Sequence, residues 1–235
     1  MGVIIKKIYR ISDKGNPFTA NFSFMTLEIA FKNFVDVFDT KGLIVIADNC
    51  KDSTINMLKD NGGEDIRITS LGNSGSMKYA YEICFTEFNN EDIVYFSEDD
   101  YLFLPEPEKY IMEGLEIADY CSLYDHLDKY INHGQNPFIR NGGEVTKVVL
   151  TKSTHWKFPN SICPTFATKV KTLKEDKEIH YKYNFIGKIT DSFKTTLALI
   201  ESGRKIITPI PGRATAADLY PSPLIQWKEV ADKYK

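Results

Sequence analysis

The chain is poor in the residues that build soft-metal centres. It carries four cysteines and four histidines in 235 residues. Cys50, Cys84, Cys121 and Cys163 stand far apart and match no metal-ligand spacing, so a zinc or iron–sulfur site is not indicated. They read as free thiols in a reducing compartment. His126, His133 and His180 have no ligand spacing either. Long apolar runs are missing: nothing approaches the roughly 20 residues of a membrane span. The stretch Gly2 to Arg10 is short and broken by Lys6 and Lys7, so no secretory leader is expected and the expected location is cytoplasmic. An excess of one charge is missing as well. A net charge of −3 removes any global electrostatic case for nucleic acid. Repeats and low-complexity segments are absent from the sequence.

What is present is a real core. Apolar residues make up 43% and aromatics 13%, enough for one domain of the full length 1–235. Val3 to Ile11 predicts a first strand, broken by the turn chemistry of Ser12-Asp13-Lys14-Gly15-Asn16-Pro17. Phe24, Leu27, Phe31, Phe34, Val35 and Phe38 recur at helical spacing. Leu43 to Ala47 predicts a second strand ending in Asp48-Asn49, and Asp52-Ser53-Thr54 can cap a helix through Leu58. Ile66 to Leu71 alternates as a third strand. Gly72-Asn73-Ser74-Gly75-Ser76 then opens a helix to about Phe88. The β-α-β-α-β-α-β order predicts a central, mostly parallel sheet with helices on its faces. The second half is less regular. It predicts a helix from Pro105 to Ile117, strands at 119–124, 145–150 and about 162–167, and a loop from Asp125 to Gly143. A helix from Asp191 to Ser202, a strand at 206–210 and a short helix near Trp227 follow.

The fourth strand carries the chemistry. Asp92 to Phe96 is an apolar, β-branched and aromatic run that delivers Glu98-Asp99-Asp100 at its end. Three adjacent carboxylates repel one another unless something positive lies among them. A divalent cation with oxygen ligands answers that need, and such ions commonly hold phosphates too. In open α/β sheets the carboxyl ends of strands are where ligands bind. A solvated acidic turn is the plain alternative.

In the order of these parts the chain resembles the GT-A glycosyltransferases. Asp48-Asn49 with Asp52-Ser53-Thr54 is similar to that family's segment after the second strand. Asn73-Ser74-Gly75 resembles its N-x-G segment, and Glu98-Asp99-Asp100 resembles the Glu-Asp-Asp form of its DxD motif. Asp191 falls where inverting members place a catalytic base. The resemblance implies a metal-dependent inverting transferase. It would use Mn²⁺ or Mg²⁺, a UDP- or GDP-linked sugar donor and a carbohydrate or glycan acceptor. Residues 1–103 would form the nucleotide half and 104–235 the acceptor half. Asp100 and Glu98 become metal ligands, with Glu98 and Asp99 reaching the ribose or metal-bound waters. Asp191 becomes the general base, or a helix cap, or both. Asp48 becomes a nucleobase or ribose contact, or a turn-forming Asp. Arg10 and Ile11 offer backbone groups to the base. Tyr9 either stacks on the ligand or belongs to the core. Lys78 either approaches the phosphates or is a surface lysine. His155, Trp156 and Trp227 are sugar contacts or core. The family's C-terminal metal-binding His has no counterpart after His180. Asp218 either replaces it or leaves the metal to the acidic motif, and Arg213 in the same loop suits phosphate. Two alternatives stand beside this reading: a sugar-phosphate nucleotidyltransferase, for which residues 12–17 are a poor match, and a decayed nucleotide-sugar-binding module.

Overall fold

The structure, a computed structural model, describes residues 5–14, 18, 20–131, 136–139, 143–184 and 191–235. Its first part is the predicted alternation. The order is β1 (Ile5–Ile11), α1 (Leu27–Phe38), β2 (Leu43–Asp48), α2 (Asp52–Asp60), β3 (Asp65–Thr69), α3 (Gly72–Glu87) and β4 (Ile93–Glu98). These four strands pair in parallel in the order β3-β2-β1-β4. The chain therefore reverses direction across the sheet between β1 and β4, the place where a ligand crevice opens in such folds.

The second part continues the same sheet with mixed polarity. It comprises β5 (Tyr101–Phe103), α4 (Pro107–Leu115), β6 (Tyr120–Cys121), β7 (Val148–Leu150), β8 (His155–Lys157), β9 (Ala167–Lys169), α5 (Val170–Glu175), α6 (Lys177–Asn184), α7 (Ser192–Glu201), β10 (Ile206–Ile210), β11 (Ala214–Ala216) and α8 (Trp227–Ala231). Strand β9 pairs antiparallel with β4 and β6, and the sheet runs on through β10 and β8 to β7. The expected strand at 119–124 shrinks to two residues, and the one at 162–167 lies further along, at Ala167–Lys169. Helices α5 and α6 were not anticipated. Strands β5 and β11 form a separate antiparallel ribbon with Ala216 opposite Tyr101.

Side-chain alternation along the strands fills two faces. Tyr9, Val45 and Tyr95 meet Phe31, Phe34 and Phe38 of α1, while Ile8, Ile46 and Phe96 meet Met77, Ala80 and Tyr81 of α3. Each large side chain so buried contributes about 1.5–3 kcal/mol relative to exposure. Asn33 of α1 is fully buried and clamps the ribbon. Its amide donates to the Phe103 carbonyl at 3.0 Å and accepts from the Phe103 N–H at 2.7 Å. Gly114 of α4 has to be glycine, because a Cβ there would stand 2.6 Å from Cys121 Sγ and 3.1 Å from the Trp156 ring. Among the described residues no helix is long and apolar enough to cross a membrane. All four cysteines are free.

Candidate functional site

A cavity of about 340 Å³ opens at the carboxyl ends of β1, β2 and β4, lined by Arg10, Ile11, Asp48, Gly72, Glu98 and Asp99 among others. Arg10 ends β1 and is 8% exposed. Its guanidinium donates to the Asn73 side chain at 2.6 Å and lies 3.5 Å from Glu98. Its Nε and Nη1 find no hydrogen-bond partner. Asp48 shapes the same wall. One carboxylate oxygen accepts from Thr69 Oγ1 and Leu71 N, the other from Asn49 Nδ2 and Gly72 N. Burial works to raise its pKa, but these four donors outweigh it and hold the carboxyl below its ordinary value. Asp48 thus lines the cavity with its acceptors already filled, and its work is to aim the N-terminus of α3 at the space. Asp13 plays the matching part for α2, accepting from Lys51 N and Thr54 Oγ1 at 2.6 and 2.9 Å. The cap foreseen in Asp52-Ser53-Thr54 is therefore supplied from the loop after β1.

The acids sit where β4 turns into β5. Asp99 accepts from Ser12 N at 2.8 Å, which ties the acidic turn to the end of β1. Burial, assisted by Glu98, pushes its pKa up to about 7 against the opposing pull of Ser12 N and Arg10. Asp100 has a buried carboxylate oxygen without a hydrogen-bond partner. Its pKa is driven well up, by burial first and then by Glu98, Asp99 and Asp218. Asp218 arrives through the β5–β11 ribbon, and its carboxylate accepts from Tyr220 N at 2.6 Å. Among the described residues no group of three or more His, Cys, Asp and Glu side chains is arranged as a ready metal site. The chemistry of the donor set nevertheless fits a hard divalent cation. An orphaned buried carboxylate with three acids repelling it is stabilised by added positive charge.

A second cavity, of about 310 Å³, is lined by residues from the second part of the chain, Asp218 among them, while Glu98 and Asp99 line the first. Its walls include Asp125, Lys129, Lys157 and Thr208. Ser192 and Phe193, the first residues of α7, face the same cavity. Asp191 is the N-cap of α7, accepting from Lys194 N at 3.0 Å and pairing with Lys194 Nζ at 2.8 Å. The Lys194 ammonium, then its N–H, lower the Asp191 pKa.

Several predicted contacts lie elsewhere. Tyr9 is fully buried against Phe31 and Phe34, with ring centroids 5.2 and 4.9 Å away, so core wins over stacking. Trp156 is fully buried and Trp227 is 5% exposed, both in core clusters, with their indole N–H groups satisfied by Thr151 Oγ1 and the Ser222 carbonyl, so core wins over sugar contact. Lys78 places its ammonium 5.4 Å from the Tyr181 ring centroid, drawn to α6 rather than to the cavity. The Arg213 guanidinium stacks 4.3 Å from the Tyr110 ring centroid and donates from Nη2 to the Pro105 carbonyl at 2.8 Å, contacts that hold it beside α4. His133 lies outside the described residues. Asp125, Lys157 and Thr208 were missed. Their only signal was a polar residue inside a short apolar strand or next to one, a pattern shared by many turns.

No protein-family model matches the chain, and no curated protein does. Solved structures do. The chain is similar to the 4-diphosphocytidyl-2C-methyl-D-erythritol synthase of Anaerococcus prevotii DSM 20548, with 12% identity, a TM-score of 0.51, and 98% of this chain and 96% of that one covered. It is also similar to GalNAc-T7 solved with UDP, GalNAc and Mn²⁺, with 10% identity, a TM-score of 0.55, and 90% of this chain but 43% of that one covered. The fold is that of the nucleotide-sugar transferase-like proteins, a large sheet flanked by helices.

Proposed function

We propose that the chain is a metal-assisted transferase of nucleotide-activated sugars, and that its reaction is inverting glycosyl transfer to an acceptor hydroxyl. The observation that carries this is the acid set itself: buried Asp100 feels Glu98, Asp99 and Asp218, of which Glu98 and Asp99 line the cavity at the strand ends and Asp218 lines the second cavity. The nucleotide would occupy the first cavity, with Nε of Arg10, which has no hydrogen-bond partner, available to it. Asp100, Glu98 and Asp218 would hold Mn²⁺ or Mg²⁺, which when bound neutralises the charge gathering on a nucleoside diphosphate leaving group. Asp99 would orient the ribose or metal-bound water. Asp191, at the head of the helix bordering the second cavity, would take the acceptor proton. For that step its carboxylate has to part from Lys194, because a carboxylate held below its ordinary pKa is a weaker base.

Nucleotidyl transfer is the second reading, and the likenesses back it better than they back glycosyl transfer. The synthase match spans both chains almost end to end, while the GalNAc-T7 match spans less than half of that chain. Against it stands the loop after β1: residues 12–17 lack the glycine- and base-rich composition that cradles a triphosphate, and Asp13 is committed to α2. Products separate the two. The pure protein with Mn²⁺ is given UDP-, GDP- and CDP-sugars with neutral glycosides and, in parallel, nucleoside triphosphates with sugar phosphates. Release of nucleoside diphosphate with a new glycoside supports the proposal. Release of pyrophosphate with a new nucleotide sugar replaces it with the second reading.

A further inference from the structure

The acceptor-side cavity has unfilled hydrogen-bonding groups on its walls. Thr208 on β10 is 1% exposed and its hydroxyl has no hydrogen-bond partner. Directly across the pairing of β10 with β8 stands Lys157, 2% exposed. Its ammonium lies 2.7 Å from Asp125 Oδ1 as an ion pair and 4.2 Å from the Tyr130 ring centroid, yet neither the ammonium nor that oxygen completes a hydrogen bond. Asp128 Oδ1 lies 2.8 Å from His126 and 3.5 Å from Lys129. Thr208, Lys157, Asp125, Asp128, His126 and Lys129 line the one space. Buried polar atoms in folded proteins are nearly always satisfied, so a cavity that collects donors and acceptors together is shaped for a ligand offering both.

The charge of the walls narrows the ligand. Both lysines are already answered by carboxylates. Lys157 pairs with Asp125 and lies 3.8 Å from Glu144, and Lys129 lies 3.5 Å from Asp128 while donating to Asn160 at 2.9 Å. With Asp218, carboxylates outnumber ammonium groups among the described residues around the cavity. A phosphate or carboxylate entering here would find no uncommitted lysine and would meet acids. A hydroxyl donates to one atom and accepts from another, so a polyhydroxylated ring can bond the Thr208 hydroxyl and the remaining lone pairs of Asp125 and Asp128 without adding charge or breaking the Lys157–Asp125 pair.

We infer that this cavity binds an uncharged sugar ring and discriminates against sugar phosphates and sugar acids, with Thr208, Asp125 and Lys157 setting the preference. The inference rests on the proposed transferase function only for the name acceptor; the binding preference stands on the cavity itself. Gly212 belongs to the construction. A Cβ there would lie 2.5 Å from Ser222 Oγ and 2.9 Å from Asp125 Cβ, and Ser222 Oγ accepts from Asp125 N at 3.0 Å and donates to its carbonyl at 3.0 Å.

The test is direct binding, read by saturation-transfer NMR and calorimetry on the whole chain, with and without UDP and Mn²⁺. The probes are the methyl glycosides of glucose, galactose, mannose and N-acetylglucosamine, their 1-phosphates, and glucuronic acid. The expected result is that at least one methyl glycoside binds tenfold or more tightly than its 1-phosphate. Thr208→Val and Asp125→Asn should weaken that glycoside fivefold or more while leaving nucleotide binding unchanged. Wild-type-like melting of Thr208→Val guards against misfolding. Tighter binding of the phosphates or the acid overturns the inference, as does absence of all sugar binding or indifference to both substitutions. If glycosides bind as expected while no nucleotide binds, the cavity inference stands and the proposed function falls.

Discussion

The backbone N–H of Ala217 donates to the carbonyl of Asp100 at 2.7 Å, one step beyond the point where Ala216 faces Tyr101 in the β5–β11 ribbon. That bond extends the ribbon and brings Asp218 up to the acidic turn, more than a hundred residues away in sequence. The fourth acid is thus delivered by backbone pairing.

Asp100 is costly to the protein alone, a cost that a bound cation would offset. Its buried, partnerless oxygen is repelled by Glu98, Asp99 and Asp218. Asp100→Asn removes the charge and keeps the shape. The variant should melt 2–4 °C above the wild type in the absence of metal, a gain of about 1 kcal/mol for a chain of this size. It should also lose turnover. A metal-free variant less stable than the wild type would show that Asp100 is instead held by favourable contacts.

Asp48 should behave in the opposite way. Its four donors would be left without an acceptor in Asp48→Ala, at a cost of about 2–4 kcal/mol, or roughly 5–10 °C in melting temperature. Its folded-state pKa is depressed. Its stabilisation is therefore fully present above the ordinary carboxylate pKa near 4 and is lost as pH falls through the lower folded value. Denaturant titrations of wild type and variant should differ most at pH 6–7 and converge toward pH 3. A constant gap across that range would remove the charge-assisted account.

For Asp191, cap and base can be separated. Asn is as good an N-cap as Asp, so Asp191→Asn should melt within about 1 °C of the wild type, while Asp191→Ala should lose about 1 kcal/mol. If the carboxylate is the base, both variants lose 10²–10⁴-fold in kcat with nucleotide affinity intact. Full activity in Asp191→Asn would leave the residue as a cap alone.

The first part of the chain was legible because its signals are local. Continuous apolar runs such as Leu43 to Ala47 and the helical spacing of Phe31, Phe34 and Phe38 each specify their own element, and Glu98-Asp99-Asp100 is contiguous. What escaped depends on distant partners. Asp48 reads in the sequence as a ligand contact or a turn-former, and the donors that fill its acceptors, Thr69, Leu71 and Gly72, stand more than twenty residues further along. Asp125 and Thr208 share a cavity only because β10 pairs with β8, setting Thr208 opposite Lys157, and Ser222 grips the Asp125 backbone. Helix α6 was missed because it holds few apolar residues. It is held instead by His180, a neutral imidazole whose pKa burial lowers to about 3, set between Tyr81 and Tyr120. Tyr9, Trp156 and Trp227 carry residue types that serve core and ligand equally, and only packing decides between them.

The most direct test of the central claim is thermal melting with UDP, GDP, CDP and dTDP, each with and without Mn²⁺, in the wild type and in Asp100→Asn. The account predicts that at least one nucleotide stabilises the wild type only when metal is present, by about 2.7 kcal/mol at a hundredfold excess over its dissociation constant. It predicts that Asp100→Asn abolishes this shift. Melting temperatures indifferent to every nucleotide and to Mn²⁺, or a shift that survives Asp100→Asn unchanged, would contradict it and make Glu98-Asp99-Asp100 an acidic turn without a cation.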